Sequence, residues 1–270
     1  EEAARDVEYV FNLAAAYRDA GITDEMYRKV HVDGTQLLAN AVLKNNGFKR
    51  FVHVSTVGVH GHIDNPPADE NCRFSPGDVY HETKAEAEKW FVQFARENSM
   101  PFSVIRPAAI YGPGDKRLLK VFKMACKPFF PILGSGRCLY HLIHVEDLVQ
   151  GLLLAATHSA AQGEIFVCGN TNPTSLEEMT GIIASALGRR TRAVRLPAWP
   201  FFMAGAVCEA VCVPLGITPP IYRRRVAFFT KDRAFDTTKI RAKLGFDPRF
   251  SNAEGLTETA RWYKENGWLK

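Results

Sequence analysis

The sequence predicts an α/β fold, in which helices cover a doubly wound parallel sheet and a smaller lobe follows in the C-terminal part of the chain. Runs rich in β-branched and aromatic residues predict strands at residues 51–59, 102–107 and 164–168. Longer runs with helical spacing of apolar residues predict helices at 23–43, 78–98 and 145–157. Because strands and helices alternate along the chain, the strands are expected to run parallel, with helical crossovers between them.

The N-terminal part is expected to begin with a strand in VEYVFNLAAA (7–16) and to continue with the helix at 23–43. Thr23 is the predicted N-cap of this helix, and Asp24 and Glu25 complement the positive end of its dipole. The helix is expected to pack its apolar stripe on the sheet.

Turn formers and capping residues mark the later elements. The segment at 63–78 is rich in them and predicts a loop, and Pro107 is expected to end the strand at 102–107. Two serine–glutamate pairs with capping-box spacing predict helix starts, namely Ser175 with Glu178 and Ser251 with Glu254. Gly245 is expected to stop a short helix before the last one.

Composition bounds the class of protein. With 270 residues, 46% hydrophobic and 23% charged, the chain is neither disordered nor collagen-like. A net charge of +5 without a dense basic and aromatic surface does not predict nucleic-acid binding. The six cysteines form no CxxC pair and the eight histidines show no ligand spacing, so we predict no metal site. Free thiols and the lack of a signal-peptide pattern lead us to expect a cytoplasmic protein.

Tyr80 and Lys84 stand four residues apart in DVYHETKAEAEKWF (78–91), which has a strongly helical pattern. This spacing places both side chains on one face of the helix. An ammonium beside a phenol favours the phenolate, so the pKa of the tyrosine moves down toward the working range of a general acid or base. On most helices the same spacing means only that an aromatic ring packs on a lysine stem. The pair therefore predicts either half of a proton-transfer site or a packing contact.

Two hydroxyl groups supply a candidate for the other half of such a site. Ser55 and Thr56 lie near the end of a β-branched strand in VHVSTVGVHG (52–61). Residues at strand ends in an α/β sheet face the ligand crevice. Either hydroxyl can polarise a substrate oxygen from there.

Six segments occur in a fixed order along the chain. They are VFNLAA (10–15), VHVDGTQLL (30–38), VSTVGVHG (54–61), YHETK (80–84), RPAAIYGPGD (106–115) and LIHVEDLVQG (142–151). The series resembles the extended short-chain dehydrogenase/reductase family of the NAD-dependent epimerase/dehydratase type, and the resemblance covers nearly the whole chain. It implies a Rossmann-like sheet and an enzyme that uses NAD or NADP.

The resemblance also implies a role for each candidate residue. Tyr80 is the catalytic acid/base, and Lys84 lowers its pKa and holds the nicotinamide ribose. Thr56 is the catalytic hydroxyl, preferred to Ser55 because the family places it five residues before the glycine matched by Gly61. The implied cofactor-binding residues are Leu13, Ala14, Ala15, Ser55, Tyr80, Lys84, Pro107 and Ile110.

The domain division follows from the same resemblance. Residues 1–115 are expected to form an incomplete dinucleotide-binding core, and 116–270 a substrate lobe interleaved with core elements that return at about 142–170. The family opens with a glycine-rich turn that binds the cofactor pyrophosphate, and this chain is expected to start after that turn. The choice between NAD and NADP is made in the same early region. Family members usually have asparagine at His31, which either borders the cofactor site or is an ordinary helix histidine.

The run LPAWPFFMAGAVCEAVCVPLGI (196–217) is almost entirely apolar and carries one charge, Glu209. About 20 such residues span a bilayer, but Pro197, Pro200 and Pro214 break the run at both ends. Three interpretations follow. A cap over a substrate pocket is preferred, an element on a membrane surface comes second, and a membrane span comes third. Three arginines at 223–225 keep a peripheral membrane contact near 196–225 under consideration.

The closing segment RAFDTTKIRAKLGF (233–246) most resembles 3β-hydroxysteroid and sterol dehydrogenases, which implies an apolar hydroxy or keto substrate, steroid- or lipid-like. Nucleotide-sugar members commonly carry an arginine four residues before the histidine matched by His144, and this chain has Tyr140 there, with Arg137 nearby. A nucleotide-sugar epimerase or dehydratase is the first alternative, and a non-catalytic NAD(P)-binding member is the second. The resemblance further implies a homodimer formed through the helices at 23–45 and 78–98.

Overall fold

A computed structural model of the chain describes residues 4–16, 22–212, 214–215, 219–220, 223, 226 and 229–269. The chain folds into two units. The first contains residues 1–110, 143–171 and 235–249, and the second contains 111–142, 172–234 and 250–270. The segment at 235–249 thus belongs with the first unit, which the sequence did not indicate.

The first unit is built on a four-stranded sheet. Its strands are β1 (Tyr9–Asn12), β2 (Arg50–Val54), β3 (Phe102–Pro107) and β8 (Glu164–Cys168). They lie in the order β1-β2-β3-β8, and every neighbouring pair is parallel. This arrangement confirms the predicted α/β class with a parallel central sheet.

Successive strand residues face opposite sides of this sheet, and helices cover both sides. The helices are α2 (Gly34–Val42), α3 (Val79–Glu97), α5 (Val145–Thr157) and α8 (Thr238–Leu244). Phe51 and Val104 pack in one buried cluster with residues of α2 and α3. Val52 and Ile105 pack in another with residues of α5 and α8. Burial on both faces explains why these strands are nearly continuous apolar runs.

The helix predicted at 23–43 forms, with an irregularity inside it. It consists of α1 (Asp24–Arg28), a π-helical segment (Lys29–Asp33) and α2. The Thr23 hydroxyl accepts a hydrogen bond from the backbone N–H of Met26 at 3.2 Å, which confirms the predicted N-cap. The first strand is shorter than predicted, because residues 13–16 leave the sheet without regular structure.

The strand predicted at 51–59 is wrong beyond Val54, where β2 ends. The Thr56 hydroxyl accepts a hydrogen bond from the N–H of Gly58 and caps a 3₁₀ turn, Val57–His60. Gly61 then takes a φ of +68°, which glycine adopts without strain. The two residues that carry candidate hydroxyls therefore lie in a turn and not within the strand.

The second unit has its own core, which includes the buried side chains of Phe122, Phe130, Ile183 and Tyr263. Its helices are α4 (Leu119–Ala125), α6 (Leu176–Ala186), α7 (Trp199–Cys212) and α9 (Asn252–Glu265). Its strand pairs are β5 (Phe129–Leu133) with β10 (Arg192–Leu196), in parallel, and β6 (Leu139–Tyr140) with β9 (Thr174–Ser175), antiparallel. Two further short strands, β4 (Ala109–Tyr111) and β7 (Leu142–His144), pair with each other, and most of their residues belong to the first unit.

Both predicted capping boxes are present. In each, the serine hydroxyl accepts the N–H of the glutamate three residues later, and the glutamate carboxylate accepts the N–H of the serine. Gly245 ends α8 with a φ of +63°, as predicted. These local signals placed the helix ends correctly because they depend on neighbouring residues alone.

Helix α7 exposes an apolar stripe, which consists of Trp199, Met203, Val207 and Val211. The four side chains recur every fourth residue and therefore lie on one side of the helix. Pro200 occupies the first turn, where a missing N–H costs nothing. Among the described residues, no helix combines the length and hydropathy required to cross a membrane. Residues 213, 216–218, 221–222 and 224–225 of the region near 196–225 lie outside the described part.

Candidate active site

Lys84 connects α3 to the end of β2. Its side chain is buried, and its ammonium Nζ donates a hydrogen bond to the backbone carbonyl of Val54 at 2.6 Å. Burial lowers the pKa of Lys84 to about 8, although the carboxylate of Glu88 one turn later acts in the opposite direction. The lysine ammonium is therefore fixed at the residue that directly precedes Ser55 and Thr56.

The lowered pKa of Lys84 makes the free energy of unfolding depend on pH. Between about pH 8 and pH 10.5 the unfolded chain keeps this proton while the folded protein has lost it, so stability rises with pH. The full rise is on the order of 3 kcal/mol. Lys84→Met should remove it, which urea unfolding of both proteins at a series of pH values will show. An equal rise in the variant would contradict the assignment.

Ser55 and Thr56 differ in their surroundings. The Ser55 hydroxyl is buried and has no hydrogen-bond partner among the described residues. Thr56 is partly exposed, and its oxygen accepts the N–H of Gly58 at 3.1 Å. The hydroxyl hydrogen of Thr56 is therefore directed away from Gly58 and can serve another oxygen.

Tyr80 lies in the first turn of α3, which is held against the turn after β2. The Asp78 carboxylate accepts the N–H of His81 at 3.0 Å and caps the helix. The ring of His81 packs on Gly58 so closely that a Cβ added at Gly58 would lie 2.0 Å from its Nε2. The absence of a side chain at Gly58 thus lets the start of α3 approach the hydroxyl-bearing turn.

The predicted cofactor-binding residues follow neighbouring strands. Leu13, Ala14 and Ala15 are exposed directly after β1, and Pro107 is the buried last residue of β3. Ile110 lies half-buried in β4. Because the carboxyl ends of parallel strands meet at one edge of a sheet, residues 13–15 and Pro107 lie on the same side as the turn after β2.

A buried polar network below this edge was not predicted from the sequence. Asn12 Nδ2 donates to the Thr35 hydroxyl at 2.9 Å, and that hydroxyl donates to the carbonyl of His31 at 2.6 Å. His53 stacks on Phe91 with ring centroids 5.0 Å apart. Burial lowers the pKa of His53, and the charges of Lys84 and His31 add to the effect. No sequence signal marks this network, because its members lie far apart in the sequence, as Asn12 and Thr35 do.

The buried ion pair of Arg106 and Glu88 was also not predicted from the sequence. Arg106 on β3 donates from Nε to the Glu88 carboxylate at 3.0 Å and from Nη1 to the carbonyl of Glu70 at 2.7 Å. His60 donates from Nδ1 to the carbonyl of Arg73, so its Nε2 accepts from Arg106 at 3.2 Å. Burial and the guanidinium lower the pKa of His60. The pair fixes α3, and with it Tyr80 and Lys84, to the sheet.

No group of three His, Cys, Asp or Glu side chains within the described ranges could hold a metal ion. Near the carboxyl end of β2 lie the buried amine of Lys84 and the hydroxyls of Ser55 and Thr56, and Tyr80 lies four residues before Lys84 on α3.

A comparison with family models identifies the family of the chain. The model of the NAD dependent epimerase/dehydratase family matches residues 1–169. The chain belongs to this family. The match confirms the resemblance carried by the six ordered segments, and with it the Rossmann-like fold class.

Relatives of this epimerase/dehydratase-family chain differ in their reactions. The 3beta-hydroxysteroid-dehydrogenase/decarboxylase isoform 2 of Arabidopsis thaliana is 29% identical over 279 residues, which cover 96% of this chain and 49% of the relative. A UDP-glucose 4-epimerase of Vibrio cholerae is 28% identical over 243 residues, which cover 87% of this chain and 69% of the relative. The family member described here thus spans about half the length of the Arabidopsis protein.

A solved structure shows the same fold. The DesIV double mutant, a dTDP-glucose 4,6-dehydratase from Streptomyces venezuelae with NAD bound, superposes with a TM-score of 0.73 at 25% identity. The superposition covers 99% of this family member and 77% of the DesIV chain.

Proposed function

We propose that this protein is an NAD(P)-dependent oxidoreductase that acts on an apolar hydroxy or keto substrate, steroid- or lipid-like, with Tyr80 as acid/base. The observation that carries the proposal is the buried Lys84, which is anchored at the end of β2 on the same helical face as Tyr80. A lysine with a purely structural role usually keeps its ammonium in water, because burying a charge is unfavourable. In this proposal the amine serves the Tyr80 phenolate and the ribose of the cofactor.

The residues at this edge fit the nicotinamide half of NAD or NADP. The buried Ser55 hydroxyl has no partner among the described residues and can bond to a ligand there. Lys84 uses one N–H for Val54, and its other donors can reach ribose hydroxyls. The exposed segment 13–15 offers backbone groups beside them. The DesIV structure, which contains NAD, has the same fold.

In the proposed mechanism the cofactor, when bound, supplies or accepts the hydride. Tyr80 takes the proton from a substrate hydroxyl during oxidation, or returns it to the oxygen during reduction. The Lys84 charge favours the phenolate form of Tyr80. The Thr56 hydroxyl, whose oxygen already accepts from Gly58, donates to the substrate oxygen and polarises it.

Two features of the second unit support an apolar substrate. Helix α7 presents Trp199 and Met203 to the surface, and large apolar side chains are what a nonpolar ligand requires. Tyr140 is buried, and burial raises its pKa, so it stays a neutral phenol. A neutral phenol does not replace the arginine that pairs with a diphosphate. Arg137 is exposed, and Arg233 forms a backbone bridge with Tyr140, so a basic residue does lie beside this position.

The test is a side-by-side assay of the full-length protein on hydroxysteroids and on UDP- and dTDP-sugars. Reduced-cofactor absorbance reports steroid oxidation, and chromatography of the sugars reports epimerisation, which leaves no net change in the cofactor. Turnover of steroids with none on the sugars is expected. The reverse result would promote the nucleotide-sugar epimerase or dehydratase, which the similarity to the Vibrio cholerae epimerase keeps as the alternative. Cofactor binding without turnover would indicate the non-catalytic alternative.

Two proposals concern assembly. A homodimer through the helical segments 23–45 and 78–98 is supported by the exposed apolar side chains of Met26 and Leu37. Light scattering at tens of micromolar would show a monomer if the homodimer proposal is wrong.

A peripheral membrane contact is supported by the exposed stripe of α7. If the protein does not co-sediment with anionic vesicles, the proposed membrane contact is wrong. The expected location is then cytoplasmic without membrane association.

A further inference from the structure

His31 lies in the π-helical segment between α1 and α2 and is buried. A π-helical segment widens the helix by one residue per turn and often marks a functional site. The His31 ring in this segment hydrogen-bonds to two other parts of the first unit. One is Ala16, in the segment after β1, and the other is Thr83 in the first turns of α3.

The hydrogen bonds of His31 fix its tautomer. The backbone N–H of Ala16 donates to Nε2 at 3.1 Å, so Nε2 carries no proton. Nδ1 therefore carries the proton and donates to the Thr83 hydroxyl at 2.8 Å. That hydroxyl donates in turn to the carbonyl of Val79 at 2.9 Å. The result is an unbroken chain of donors and acceptors from Ala16 to the start of α3.

His31 also contacts the proposed acid/base directly. The rings of His31 and Tyr80 lie edge to face, with centroids 5.1 Å apart and planes at 89°. Tyr27 adds a second edge contact to Tyr80 at 6.1 Å. Such edge contacts restrict the orientation of a ring without bonding to its hydroxyl.

The charge state of His31 excludes a role as a proton carrier near neutral pH. Burial, with the nearby charge of Lys84, lowers the pKa of His31 to about 4. The imidazole is thus neutral when the site operates. Its contribution has to come from geometry.

We propose that His31 is a positioning residue, whose neutral imidazole holds the segment after β1 and the Tyr80 end of α3 in one fixed arrangement. The proposal rests on the proposed function, in which residues 13–15 contact the cofactor and Tyr80 transfers the proton. If the segment after β1 or the Tyr80 end of α3 moves by about 1 Å, the rate is expected to fall on the order of 10²-fold. His31 therefore sets the distance between cofactor and acid/base without touching the reacting atoms.

The test uses the full-length protein with His31→Phe, Thr83→Val and the double variant. His31→Phe keeps the ring and removes both hydrogen bonds, and Thr83→Val removes the same bridge from its other end. Each is expected to lower kcat by about 10- to 100-fold and to raise the KM of the cofactor. The double variant is expected to be no slower than His31→Phe, because both changes break one bridge. His31→Gln, whose amide can both accept and donate, is expected to recover part of kcat.

Thr259→Val is the matched control. Thr259 is a buried helix threonine that donates to the carbonyl four residues earlier, as Thr83 does, and it lies in the second unit. Its kcat should equal that of the unmodified protein. If the folded His31→Phe variant kept kcat within twofold, or if the losses multiplied in the double variant, the proposal would be overturned.

NMR of the imidazole nitrogens gives a readout that does not depend on activity. The Nδ1–H tautomer is expected between pH 5 and pH 8, together with slow exchange of the Ala16 amide that becomes fast in His31→Phe. A protonated ring or an Nε2–H tautomer would overturn the bridge itself. A normal bridge in a protein whose turnover does not need Tyr80 would instead overturn the proposed function.

Discussion

Tyr80→Phe is expected to lower kcat by about 10²- to 10⁴-fold, the usual contribution of a general acid or base. The substitution removes only the acidic hydroxyl. The ring contacts with Tyr27 and His31 remain, so the helix and the affinity for the cofactor should change little. Steady-state kinetics of the full-length protein, together with a fluorescence titration of the reduced cofactor, will measure both quantities.

Tyr27→Phe is the control for this experiment, since it removes a phenol that contacts Tyr80 but is assigned no proton. The loss of kcat in Thr56→Ala should lie between those of Tyr27→Phe and Tyr80→Phe. Removing one polarising hydrogen bond typically lowers the rate by about 10²- to 10³-fold. Near-normal turnover of Tyr80→Phe would show that the proton takes another path.

Glu88→Ala is expected to destabilise the first unit by about 3 to 5 kcal/mol. The carboxylate and the Arg106 guanidinium are both almost completely buried, so removing Glu88 leaves an uncompensated buried charge. Urea unfolding monitored by circular dichroism will give the difference in unfolding free energy. Replacing both partners by leucine should recover much of the loss, because the uncompensated charge is then absent.

Glu86→Ala supplies a comparison on the same helix. Glu86 pairs with Arg28, but both side chains are accessible to solvent, and such a pair contributes at most about 1 kcal/mol. Equal effects of the two substitutions would mean that burial of the Arg106 pair contributes nothing to stability.

Local signals in the sequence predicted much of the fold. The helix at 145–157 and the strands at 102–107 and 164–168 have the predicted bounds, because each is set by a strong apolar pattern with a turn former beside it. The capped helix starts at Thr23, Ser175 and Ser251 were predicted from two or three neighbouring residues. Signals of this kind require no knowledge of the remaining chain.

The features that were missed depend on residues far apart in sequence. Arg106 and Glu88 meet only because β3 packs under α3, and His53 is surrounded only once α3 covers β2. The hydrogen bonds of His31 to Ala16 and Thr83 also join residues that are far apart in sequence, which no periodicity encodes. The sequence nevertheless identified Tyr80 and Lys84, because their spacing on one helix is local, while their roles remain predictions.

The interleaving of the two units limits how this chain can be cut. Strand β8 comes from the segment 143–171, yet it is the parallel neighbour of β3 in the first unit. A fragment that stops at residue 110 would therefore present the backbone N–H and C=O groups of β3 to solvent as a new sheet edge, and it would also lose α5 and α8 from one face. Such a fragment is prone to aggregate. Because each unit consists of three segments that are separated in the sequence, neither unit can be produced from one uninterrupted piece of the gene.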